Sequence, residues 1–150
     1  MPSAFKTEQL ASWTEFCGSA IKNFSGTAKH SITFDKPEEQ ADDWLLDLGR
    51  VCESASVSLN GKLVGVLWSL PFQIDVGEFL RDGQNPLEIE VTNLGANRIA
   101  ELDRQQVPWK IFYDINYVNI KYKLFDASNW LPMDSGLIGP VRLIPCVYKK

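Results

Sequence analysis

Residues 55–67 read ASVSLNGKLVGVL, and this stretch decides the fold. Ala55, Val57 and Leu59 alternate with Ser54, Ser56 and Ser58, so a chain extended here has one apolar face and one polar face. That period of two marks an antiparallel strand with one side buried and one wet. Asn60-Gly61 follows at once. A two-residue type I′ hairpin needs positive φ at both positions, and Asn-Gly meets that need best. A return strand is expected over 62–67. The same alternation recurs in LEIEVTN, residues 87–93, where Leu87, Ile89 and Val91 oppose Glu88, Glu90 and Thr92. TAKHSITF (27–34), WLLDLG (44–49), FQIDV (72–76) and the run 141–147 read as further strands, and RDGQNP (81–86) as a turn with Pro86 at a strand start. Short strands at regular spacing, with little helical periodicity, give an all-β fold, a jelly-roll β-sandwich. Short helices are expected at 6–12, 76–81 and 97–105.

The bulk composition excludes several classes of function. The chain has 150 residues, enough for one domain with a real core. Its net charge is −4 and the basic residues form no cluster, which disfavours a nucleic-acid partner. No apolar run approaches the roughly 20 residues that span a bilayer, and the N-terminus lacks the pattern of a secretory signal, so no membrane partner is expected. The three cysteines, Cys17, Cys52 and Cys146, are widely spaced. They have no metal-ligand spacing and read as buried or half-buried free thiols. A catalytic triad would have to use His30, the one histidine. That residue lies in a strand and reads as a core or sheet-face side chain. Acidic residues are plentiful, yet no pair is singled out as the two carboxylates, about 5–5.5 Å apart or further, that glycoside hydrolysis needs.

One segment breaks the rhythm. From Asn93 to about Asn116 there is no sustained alternation, and long irregular connections are usually functional. The segment carries aromatic rings that can stack on the C–H face of a sugar, and planar polar groups that can fix hydroxyls.

In order and spacing, the stretch from Ala55 to Asn93 resembles the sugar-binding jelly roll of glycoside hydrolase family 2, part of the galactose-binding-domain-like superfamily. FSGTA (24–28), LDLG (46–49), LNG (59–61), Trp68 with Pro71-Phe72, VTNL (91–94), Asn97-Arg98 and SGLIGPV (135–141) are similar to the C-terminal domain of family 106 α-L-rhamnosidase-like enzymes. The chain departs from that pattern at Gly95-Ala96, where a Trp is usual, in NRIAELD, which lacks a Gly-Asp, and at His30, where a Tyr is common. SGLIGPV is expected to supply backbone freedom for a close crossing before the last strand, and not to cradle phosphate.

The resemblance implies a galactose-binding-like sandwich over 23–150, preceded by an N-terminal extension, 1–22, that packs on it or leads into it. It implies a non-catalytic carbohydrate-binding or accessory domain, with no catalytic residues of its own. The partners expected are carbohydrate and a catalytic glycoside hydrolase domain in a parent chain, itself periplasmic or secreted. The glycan contacts expected are Trp109, Tyr113, Asn97, Arg98, Asn116 and Trp68. No cofactor is expected beyond the structural calcium that many such domains hold, and no ordered acidic loop suggests a cage for it. The alternative is a structural module that braces a catalytic domain and binds no glycan. Its signature is an apolar patch left exposed on one sheet or at 93–116.

Overall fold

The computed structural model describes residues 2–111 and 123–148. Nine strands are placed among them: β1 (Thr27–Asp35), β2 (Asp43–Asp47), β3 (Arg50–Cys52), β4 (Ser54–Leu59), β5 (Lys62–Leu67), β6 (Gln73–Asp75), β7 (Gln84–Thr92), β8 (Gly136–Gly139) and β9 (Arg142–Cys146). They form a four-stranded sheet, β1-β7-β4-β5, a three-stranded sheet, β6-β2-β9, and the pair β3-β8. Every pairing is antiparallel. The protein is an all-β sandwich.

The alternation in the sequence is the alternation of burial. Ala55, Val57 and Leu59 of β4 pair with Val91, Ile89 and Leu87 of β7, and all six are buried. They meet Trp44 and Leu46 of β2, together with Leu48, Val51, Phe72, Val76 and Leu137. Fully burying such side chains contributes about 1.5–3 kcal/mol each before entropy is counted, so this central layer carries most of the fold. The outer face of β4 and β7 is polar, and Lys29 of β1 there pairs with Glu88 at 2.9 Å and Glu90 at 3.5 Å. The Asn60-Gly61 turn has φ of 55° and 77°, as the type I′ reading requires.

The helices differ in place and length from those expected. At 6–12 there is none. The Thr7 hydroxyl bonds the backbone of Gln9 on both sides, a local arrangement that competes with helix. A single turn, α1 (Ser19–Lys22), comes later. At 76–81 there is one 3-10 turn, Gly77–Phe79. The third expectation corresponds to α2 (Ala96–Arg104), which buries Asn97 and Ala100 and closes with Arg104 in its last turn, where a cation suits the helix dipole.

Residues 136–139 are themselves a strand, paired with β3, and not only the approach to the last one. The close crossing is also there. A Cβ on Gly49 (φ +63°) would lie 2.5 Å from the Gly139 carbonyl carbon, and one on Gly136 (φ +87°) would overlap the Trp13 indole. Neither position has room for a side chain. Trp13 is 4% exposed and belongs to the core. Cys52 is buried and Cys146 half-buried, but Cys17 is exposed, contrary to the expectation for it; all three are free thiols. No described helix is long and apolar enough to cross a membrane.

Candidate functional site

The irregular region is organised by α2. The Asn97 amide donates to the Met133 carbonyl at 2.7 Å and accepts from the Met133 N–H at 2.8 Å. Two turns on, the carboxylate of Asp103 accepts from the Ala127 N–H at 2.8 Å and from the Trp109 indole at 2.7 Å. The next residue, Arg104, donates to the carbonyls of Ser128 at 2.9 Å and Trp130 at 2.7 Å. One helix thus staples the chain that returns to β8 at three levels.

Beyond the end of α2 lies an open cleft of about 530 Å³, with Asp103, Arg104, Gln106, Trp109, Lys110 and Asp126 among the residues on its walls. Lys110 is its electrostatic centre. Its ammonium lies 3.1 Å from Asp103 Oδ1, donates to the Phe125 carbonyl at 2.7 Å, and sits 5.5 Å from the ring centroids of both Trp109 and Phe125. Phe125 stands edge-on to Trp109 and Trp130, at 6.1 and 5.6 Å. Burial pushes the Asp103 carboxyl up, but the Ala127 N–H, the Trp109 indole and Lys110 outweigh it and hold the pKa below the ordinary carboxylate value. Asp126 is held low by the Ser128 N–H. These contacts fix the Trp109 ring before any ligand arrives, which lowers the ordering cost of binding.

The residues expected from sequence are scattered across this arrangement. Trp109 lines the cleft, half-buried. Asn97 is 6% exposed and its amide is spent on Met133. In this fold it clamps backbone, and it is not among the residues that line the cleft. Arg98 is exposed on α2, outside the cleft. Tyr113 and Asn116 lie outside the described residues. Trp68 is far from capping the core: it is 78% exposed, in the β5–β6 connection, and it is not on the cleft wall. Arg104, Lys110 and Ser128 complete the cleft and were not singled out. The one available signal was the pairing of Asp103 and Arg104 at a helix end.

Trp68 belongs to a different feature. β5 is the edge strand of the four-stranded sheet. Leu63 and Val66 pair with Ser58 and Ser56 and so share their outward face. Trp68 and Leu70 follow in the connection, and these four apolar side chains, the ridge of this edge, are exposed from 58% at Val66 to 80% at Leu70. Edge strands usually carry charge against unwanted pairing. Here Lys62, at the hairpin end, is the one charge on β5.

No group of three or more His, Cys, Asp or Glu among the described residues is placed to hold a metal ion.

Residues 19–132 match the family described as glycosyl hydrolase 2 galactose-binding domain-like. The chain belongs to this family. A Formosa agariphila protein named "Putative beta-glucuronidase" is 36% identical over 162 residues, an alignment covering 95% of this chain and 14% of that protein. The structure of the rhamnosidase from Novosphingobium sp. PP1Y superposes with a TM-score of 0.76 at 35% identity, over 95% of this chain and 13% of the rhamnosidase. A β-glucuronidase of an uncultured Clostridium sp. is 26% identical with a TM-score of 0.51, over 56% of this chain and 15% of that one. This galactose-binding-like chain therefore spans about one-seventh of the length of these relatives.

Proposed function

We propose that the chain is a non-catalytic accessory domain that docks on a larger glycoside hydrolase polypeptide through the β5 ridge. The observation that carries this reading is four exposed apolar side chains, Leu63, Val66, Trp68 and Leu70, on and just after an edge strand whose one charge is Lys62. Surfaces of this kind mark interfaces. An exposed Trp beside aliphatic side chains has the make-up of an anchor rather than of a solvated face. The small share of the relatives' length that the chain covers is consistent with a partner of this sort.

The test is a domain exchange. This chain replaces its counterpart in the Novosphingobium rhamnosidase, with and without Trp68→Glu and Leu70→Glu. The expected result is a chimera that melts in one transition, and a doubly substituted chimera in which this domain melts separately. If both chimeras melt alike, the ridge is not a docking surface.

A second reading, reversible carbohydrate binding at the α2 cleft, is favoured by the pre-fixed Trp109 ring beside Asp126, Gln106 and Ser128. Tyr113 and Asn116, outside the described residues, remain candidates in it. One aromatic platform and a few hydrogen bonds give weak affinity, which tethering to an enzyme would raise. Calorimetry against rhamnose- and glucuronate-bearing glycans, with Trp109→Ala as control, decides it. Heat that disappears in the variant supports the reading, and heat that persists refutes it.

A further inference from the structure

Residues 2–18 contain no helix or strand, yet part of this segment is fixed. The Trp13 N–H donates to the Ser135 carbonyl at 2.9 Å, the Ser135 N–H donates to the Ser12 hydroxyl at 3.1 Å, and the Trp13 indole lies flush on Gly136. Residues 10–16 thus form a strap over the end of the sandwich. Beneath it is His30, the chain's single histidine, on β1 opposite Ile89. Its ring stacks with that of Trp13, centroids 6.4 Å apart and planes 19° from parallel. Its Nε2 is buried and has no hydrogen-bond partner.

A neutral imidazole can leave one nitrogen unpaired at modest cost. An imidazolium carries a full charge and two N–H donors, and burial without an acceptor disfavours it strongly. We propose that His30 is an acid-sensitive latch: neutral, it seats Trp13 and holds the strap closed; protonated, it releases residues 10–16.

His30 is half-buried as a residue, and the elements packed against it turn no acceptor toward the buried Nε2. Lys29, on the same strand, lies on the opposite face, paired with Glu88 and Glu90 of β7. The strap presents Trp13, while its Glu15 is exposed; α1 has Lys22, also exposed, and the chain after it presents Phe24, packed against Trp13 at 5.5 Å. From β8 comes Gly136, with no side chain. Burial pushes the His30 pKa below that of an ordinary histidine. The indole face attracts an imidazolium and so opposes release; in the latch, burial outweighs it. The sign follows from linkage. Closure is fully stabilised above the open-state pKa of about 6.5, weakens as pH falls below it, and levels off beneath the depressed closed-state value. Ser135 is also bonded by the Asn97 amide at 3.3 Å, so an open strap frees one partner of the α2 clamp.

Two measurements on the whole chain test this: an NMR titration of the single histidine between pH 4 and 8, and hydrogen exchange at the Trp13 amide, corrected for intrinsic rates. The expected results are a His30 pKa below 6.5 and an opening constant that rises by up to about tenfold per pH unit within the window. His30→Phe keeps a stacking ring and should give a flat profile. His30→Gln serves if the Phe variant does not fold. A His30 pKa at or above 6.5, a Trp13 amide that stays protected as His30 titrates, or the same acid opening in the variants would each overturn the latch.

Discussion

Replacing Asn97 by alanine separates a clamp from a ligand contact. The side chain is 6% exposed and makes two short bonds to one backbone unit, Nδ2 to the Met133 carbonyl at 2.7 Å and Oδ1 from the Met133 N–H at 2.8 Å. The contact to Ser135 at 3.3 Å counts for little. Each good bond contributes about 1 kcal/mol net, and removing one partner leaves the other short of a mate. Truncating a buried amide also leaves a small void, so Asn97→Ala should cost about 2–3 kcal/mol. For a domain of this size about 1 kcal/mol moves the midpoint by about 2–4 °C, which places the fall in Tm at roughly 4–12 °C. Differential scanning calorimetry reads it directly. Asn97→Asp keeps the shape but turns a donor into an acceptor facing the Met133 carbonyl, and should be at least as damaging at neutral pH. A Tm within about 1 °C of the parent for both variants would refute the clamp and return Asn97 to the list of free polar groups.

The remaining predictions concern other parts of the molecule. Gly136→Ala places a Cβ against the Trp13 indole at φ +87° and should cost about 2–4 kcal/mol, from left-handed backbone strain plus overpacking, seen as a lowered urea midpoint. Asp103→Asn should cost about 2 kcal/mol at neutral pH, since charge-assisted bonds are the stronger ones. The Asp103 pKa is depressed from 3.8, so its stabilisation is present above that value and fades as pH falls through the folded pKa; the variant should lose this part of the acid sensitivity below about pH 4, read by circular dichroism. Trp68→Glu, at an exposed site, should leave the melting of the isolated chain within about 0.5 kcal/mol of the parent, whatever it does to docking.

Most of the sandwich was legible because its determinants are local. Alternation in 54–59 and 87–92 fixes which face is buried, and Asn60-Gly61 sets the hairpin end of the β4–β5 pair, whose register shifts by a bulge between Val57 and Ser58. The strands that escaped notice, β3 and β8, are three and four residues long. Their pairing depends on Gly49 and Gly139 approaching across some ninety residues of sequence, a contact that no short window contains. The helix expected at 6–12 fails for a related reason. Ser12 and Trp13 are claimed by Ser135 and Gly136, and a distant partner overrides weak local preference.

The site was less legible, and the cause is chemical. Asn, Asp and Arg recognise a sugar because they present paired donors and acceptors at fixed angles. An orphan stretch of backbone presents the same demand. In this fold the segment 125–135 passes α2 with no strand of its own, and Asn97, Asp103 and Arg104 supply what a neighbouring strand would have supplied. Residue type and loop length therefore marked out this region, while the partners that engage each side chain lie 24 to 36 residues further along. Trp109 keeps its candidacy for the opposite reason. Its indole N–H is satisfied by Asp103, so what it still has to offer is a ring face, which hydrogen bonds to backbone cannot use and a pyranose can.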